Sequence, residues 1–141
     1  LAGDTYDQAE AWGIRQMMWL SIALGGALGA SLRHGLTLAI PSSPAPGMPW
    51  ATLVANVLGC SLMGICFALL QRDSISEPVR GFLMVGLLGS LTTFSAYSQQ
   101  LFELIEADRW GLAFGYGAGS VLICLAVFCL SVWGARGLLT H

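Results

Sequence analysis

Six hydroxyl side chains crowd into the stretch GLLGSLTTFSAYSQQ, residues 86–100: Ser90, Thr92, Thr93, Ser95, Tyr97 and Ser98. Gly86 and Gly89 accompany them, in a segment that is otherwise apolar. Glycine weakens a helix, and non-helical backbone at membrane depth is tolerated only where protein buries it or where it lines a wet cavity. A helix broken there exposes carbonyls at the end of one half and amides at the start of the other. Carbonyls suit a small cation and amides suit an anion. The cluster therefore reads as an ion site. The alternative is that each hydroxyl bonds back to a carbonyl of its own helix.

Three other sets have similar chemistry. Asn56 is the one amide within LVANVLG, and an amide in hydrocarbon must find a partner. It either glues neighbouring helices or donates its NH₂ to an anion. Phe94 and Tyr97 lie three apart, on one helical face. Such pairs usually pack, but the rim of an aromatic ring is electropositive and can face a small anion. Tyr116 and Ser120, four apart, form a second polar stripe.

Elements able to carry these residues follow from hydropathy. The chain is 55% hydrophobic and 10% charged, too few charges to cover a soluble domain of 141 residues. Four apolar segments are expected to span a membrane: 16–40, 50–70, 79–105 and 110–133. They form one transmembrane domain over 16–141, preceded by a polar tail over 1–15. That tail has no hydrophobic region of its own. It reads as a short tail or surface helix and not as a signal peptide. PSSPAPGMP forms a stiff loop, Ser76-Glu77-Pro78 a helix start, and EADR a short turn. Trp19, Trp50, Trp110 and Trp133 lie near span ends as interfacial anchors.

Four spans put both termini on one side, with Arg15, Arg72, Arg80 and Arg136; Arg33 and Arg109 fall opposite. This bias is weak. It is compatible with a single topology, or with insertion in both directions and an antiparallel dimer. The small residues of GGALGAS and GYGAGS permit close helix approach, and four helices enclose little interior, so oligomerisation is expected.

Several functions are excluded. The Arg residues are scattered and Lys is absent, so no basic patch for nucleic acid exists. Cys60, Cys66, Cys124 and Cys129 match no zinc spacing and read as packed, reduced thiols. His34 and His141 are isolated. Neither a Ser-His-Asp set nor a phosphate loop is present. No acid lies deep in a span, which disfavours proton-coupled transport. The chain does not read as an enzyme.

Taken in order, GGALGASLRHG, WATLVANVLGCSLMG and GLLGSLTTFSAYSQQ resemble the GGxxGAxxR, TLxxNxxG and GxxTTFSxF segments of the fluoride channel family, Fluc or CrcB. The similarity covers nearly the whole chain beyond about residue 20. It implies an all-α membrane protein of four transmembrane helices with a broken third helix, assembled as an antiparallel, dual-topology homodimer. The activity implied is passive export of cytoplasmic fluoride across the inner (plasma) membrane, giving fluoride resistance through two pores per dimer. Asn56 would be the pore amide and Phe94 a ring-edge ligand. Tyr97, Thr93, Ser95, Tyr116 and Ser120 would complete the pore, with Arg33 near its vestibule. A structural Na⁺ would be held by the backbone carbonyls of Gly89 and Thr92. The chain departs from the family in having Tyr97 for the second Phe, and Gln99 and Gln100 where a Glu is common.

Three rivals remain at this stage. A small multidrug transporter needs an acid in the first span, and 16–40 has none. A membrane scaffold would use Asn56, Thr92 and Thr93 as helix glue only. A non-conducting relative would have its pore plugged by Tyr97.

Overall fold

In the computed structural model, the backbone of residues 2–41, 44, 46–70 and 75–139 is described, with side chains from Trp12 onward. The elements are α1 (Ala2–Ala39), α2 (Trp50–Leu70), α3 (Glu77–Arg80), a π-helical segment π1 (Gly81–Leu88), α4 (Gly89–Leu91), α5 (Phe94–Glu106) and α6 (Trp110–Leu139). From α3 to α5 the chain is a single span, 77–106, interrupted at Thr92 and Thr93. The broken third helix expected from the hydroxyl cluster is present. Residues 71–74, with Arg72, part of the proline-rich loop (42, 43 and 45) and His141 lie outside the described residues.

Among the described residues, three helices are long and apolar enough to cross a membrane: α2, the 77–106 span and α6. Helix α1 has the length, at 38 residues, but is not among them. Arg33 and His34 interrupt its apolar stretch, and Arg15 and Gln16 flank it. The first fifteen residues continue into the same helix from Ala2. Large apolar side chains such as Leu24, Leu28, Phe114, Leu122 and Leu130 are exposed, as are Trp19, Trp50, Trp110 and Trp133. An apolar exterior of this kind suits lipid, whereas in water it would aggregate.

Glycines decide which helices touch. Helix α1 packs mainly along π1. There Gly25 and Gly29 lie so close to the carbonyls of Phe82 and Leu87 that a Cβ at either would collide. The wide turns of π1 are a rare conformation that recurs at functional sites. Helix α2 packs along α6. The two run parallel: Asn56 and Cys60 on α2 share a cavity with Ser120 and Cys124 on α6, and one turn further along Gly64 sits against the Phe128 carbonyl. The Ser61 and Ser131 hydroxyls meet across the same pair of helices at 3.0 Å. Two small buried clusters result: Ala55, Leu88 and Leu91 at the break, and Leu104, Ala113 and Tyr116 between α5 and α6.

The ends of the third span follow from its sequence. Ser76 is extended (φ −63°, ψ 148°), and Pro78 occupies the first turn, where its missing N–H is not needed. At the far end the Arg109 N–H donates to the Leu104 carbonyl at 2.9 Å and the Asp108 N–H to the Ile105 carbonyl at 3.0 Å. This is a Schellman closure with Asp108 in the left-handed region, at φ 56°. Aspartate tolerates that region better than most residues. Asp108→Val is expected to lower stability by about 1–2 kcal/mol, while Asp108→Gly does not, as read from unfolding in detergent.

Candidate functional site

The interruption is built by two extended residues, Thr92 (φ −78°, ψ 150°) and Thr93 (φ −148°, ψ 122°). An extended peptide inside the protein must place its N–H and C=O somewhere. Asn56 on α2 takes both groups of Thr93. The Thr93 N–H donates to Asn56 Oδ1 at 2.8 Å, and Asn56 Nδ2 donates to the Thr93 carbonyl at 3.2 Å. Helix α5 then restarts with Thr93 as its N-cap, whose Oγ1 accepts from the Ala96 N–H at 3.2 Å and pairs with Ser95 Oγ at 3.1 Å. On the other side, the Thr92 N–H and hydroxyl both donate to the Leu88 carbonyl, at 3.1 and 3.0 Å. Arg33 reaches across from α1, and its Nε donates to the Ser90 carbonyl at 3.2 Å. Its cation thus lies at the negative end of the first half-helix, where the dipole favours it.

These bonds redirect two carbonyls. In an unbroken α-helix Gly89 would accept from the Thr93 N–H, and Thr92 from the Ala96 N–H. Here those two N–H groups donate to Asn56 and to Thr93 Oγ1. Gly89 and Thr92 are the positions that the family resemblance assigns to a sodium ion. Displaced backbone carbonyls are hard oxygen donors of the kind such a cation takes.

A cavity of about 330 Å³ opens beside the break, lined by Asn56, Cys60, Thr92, Thr93, Phe94, Tyr97, Ser120, Val121 and Cys124. Five of the seven pore candidates therefore share one wall: Asn56, Thr93, Phe94, Tyr97 and Ser120. Tyr116 lies behind them and is buried. Ser95 is exposed and touches the group through Thr93. Arg33 and Gly89 flank the break without lining the cavity. The aromatic rings form a ladder from surface to interior. Phe94, 75% exposed, stacks tilted on Tyr97 with centroids 5.3 Å apart, and Tyr97 on Tyr116 at 5.2 Å.

The hydroxyls divide by what they hold. Tyr97 O–H donates to the Gly117 carbonyl at 2.9 Å, and Tyr116 O–H to Gln100 Oε1 at 2.9 Å. Both phenol protons are thus engaged. Ser120 Oγ is buried without a hydrogen-bond partner. Asn56 has two N–H groups and uses one on Thr93. The cavity is consequently lined by Ser120 with its unpartnered hydroxyl, by Asn56 with an amide N–H to spare, and by the ring of Phe94. These are neutral donors suited to a small anion, and none is a nucleophile paired with a base.

Sequence reasoning missed four participants. Gly59 leaves the space that the Thr92 methyl fills. Cys60 and Cys124 line the cavity instead of merely packing. Gln100 holds Tyr116. The signal for the thiols was their spacing, four residues beyond Asn56 and Ser120.

Apolar spans around a polar break define a multi-pass helical membrane protein. The chain belongs to the CrcB family, since residues 20–132 match the family described as "CrcB-like protein, Camphor Resistance (CrcB)". Its relatives include the "Fluoride-specific ion channel FluC" of Chloroflexus aurantiacus, 42% identical over 73% of this chain and 82% of that protein. Proteins of the same name from Thermus thermophilus and Phocaeicola vulgatus are 41% and 36% identical, covering 76% and 81% of this chain and 86% and 94% of theirs.

Two substitutions test the geometry. Asn56→Leu removes both bonds to Thr93 and leaves its peptide groups unpaired, a loss of about 2–4 kcal/mol in a detergent unfolding series. Tyr97→Phe removes only the tie to Gly117 and costs about 1 kcal/mol by the same measurement.

Proposed function

We propose that this chain is a fluoride-selective channel that exports cytoplasmic F⁻ passively down its electrochemical gradient. The observation that carries the reading is the cavity at the helix break, lined by Ser120 with its unpartnered hydroxyl, Asn56 with a spare N–H, and the ring of Phe94, whose electropositive rim can serve an anion. Fluoride is small and strongly hydrated, so dense donors must replace its water. The relatives named above bear fluoride-specific channel names. HF crosses a bilayer as a neutral weak acid, dissociates inside and is trapped as the anion. A passive pore in the inner (plasma) membrane then relieves the load.

Two copies assemble antiparallel, with two pores per dimer, in this reading. Exposed Phe94 and Gly89 support it, because a single chain leaves the break open on one side. The weak arginine bias fits insertion in both directions, and α1 supplies the fourth span. The carbonyls of Gly89 and Thr92 would hold the structural Na⁺, which would neutralise the negative ends of the broken helices. Arg33 steadies the Ser90 carbonyl beside them and puts a positive charge near the path of an anion.

The test is fluoride release from liposomes containing purified protein, followed with a fluoride electrode and with chloride as control. Fast fluoride release without chloride release is the expected result. No release from a well-folded dimer overturns the channel reading. Phe94→Ile is expected to slow release about tenfold, the equivalent of losing one aromatic contact of up to ~1.5 kcal/mol, with the dimer intact by size-exclusion chromatography.

A further inference from the structure

Two of the cavity-lining residues have no part in the reading above. Cys60 follows Asn56 by one helical turn on α2, and Cys124 follows Ser120 by one turn on α6. Residues four apart share a helical face, so each thiol sits beside a donor of the candidate ion site. Both thiols are free, partly accessible and open to the same cavity. Cys60 comes from α2 and Cys124 from α6, so the two thiols face one cavity from neighbouring helices. The parallel register of α2 and α6 brings them together, and the close approach of Gly64 to the Phe128 carbonyl, one turn further along, holds that register. Cys66 and Cys129 do not line the cavity.

We infer that Cys60 and Cys124 form a two-thiol site for a soft, thiophilic divalent cation, and that its occupation obstructs the cavity. Soft thiolates select soft metals. Among the described residues no group of three or more His, Cys, Asp or Glu could hold a metal, which disfavours ions that demand four ligands. A mercuric ion accepts two-coordinate, linear ligation. The balanced step is Hg²⁺ + 2 RSH → Hg(SR)₂ + 2 H⁺. Two S–H bonds break, two S–Hg bonds form, the protons leave to solvent through the open cavity, and no electrons change hands. The product is neutral, which matters at membrane depth because a net buried charge is costly. The metal then stands beside Asn56 and Ser120, where the anion would have to pass.

This inference rests on the proposed ion path only for its second half, so binding and flux are measured separately. The protein used is the full chain carrying Cys66→Ala and Cys129→Ala, reconstituted in liposomes. Mercuric nitrate is titrated, bound metal is measured by mass spectrometry under mild ionisation, and free thiols by dithionitrobenzoate. About one ion per chain with loss of both thiols is expected. Fluoride release should fall to the level of protein-free vesicles and return on adding dithiothreitol. Further substitution of Cys60→Ser or Cys124→Ser should abolish two-thiol binding and the sensitivity, each variant being compared with its own metal-free rate. Metal taken up by only one thiol, or equal uptake in the Ser variants, overturns the site. Two-thiol binding with undiminished fluoride release overturns the obstruction. Two-thiol binding in a protein that never releases fluoride upholds the site and rejects the channel reading instead.

Discussion

The paired hydrogen bonds between the Asn56 amide and the Thr93 peptide are the constraint on which the rest of the site depends. Two extended residues in mid-span would otherwise leave a donor and an acceptor stranded in a medium with no water to take them. One carboxamide satisfies both, because it presents an acceptor and a donor side by side, as a peptide does. With Thr93 fixed, its hydroxyl is positioned to cap α5, and Phe94 and Tyr97 follow at the start of that helix. The displaced carbonyls of Gly89 and Thr92 are a consequence of the same arrangement. Neither is created by a dedicated residue; each is a helical acceptor whose donor has been taken elsewhere.

Around that constraint the helices are positioned by what is missing from them. Gly25 and Gly29 let α1 lie on the backbone of π1, which brings Arg33 within reach of the Ser90 carbonyl. Gly59 makes room for Thr92, and Gly64 sets the register between α2 and α6. In lipid, apolar side chains gain nothing by turning inward, so contact between backbones and a few polar ties replace a conventional core. The Ser61–Ser131 pair and the Tyr97–Gly117 bond are ties of this kind.

Much of this could be read from the residues. Hydroxyls beside glycines in an apolar run marked the break, and Ser76-Glu77-Pro78 marked where that span begins. Asn56 stood out as the one amide in its span, though its type alone could not say that Thr93 is the partner. The π-helical turns were not legible, because a wider hydrogen-bond register depends on what the facing helix permits. The nearness of Cys60 to Cys124 was hidden for a similar reason. It depends on two spans being parallel and in a register fixed by Gly64, a relation between residues sixty-four positions apart. The role of Gln100 emerged only when α5 and α6 were placed side by side. The span read over 16–40 is the one not matched by a helix apolar enough to cross a membrane among the described residues, since Arg33 and His34 dilute the apolarity of α1.

The unpartnered hydroxyl of Ser120 has a consequence for how the folded state responds to its surroundings. A protein that leaves a buried donor unused is less stable than it would be with that donor engaged. Whatever enters the cavity and accepts from Ser120 binds the folded chain and not the unfolded one, so it shifts the folding equilibrium in proportion to its fit. The melting temperature thereby becomes a scale on which anions are ranked by how well they suit the cavity, with no membrane potential and no transport required.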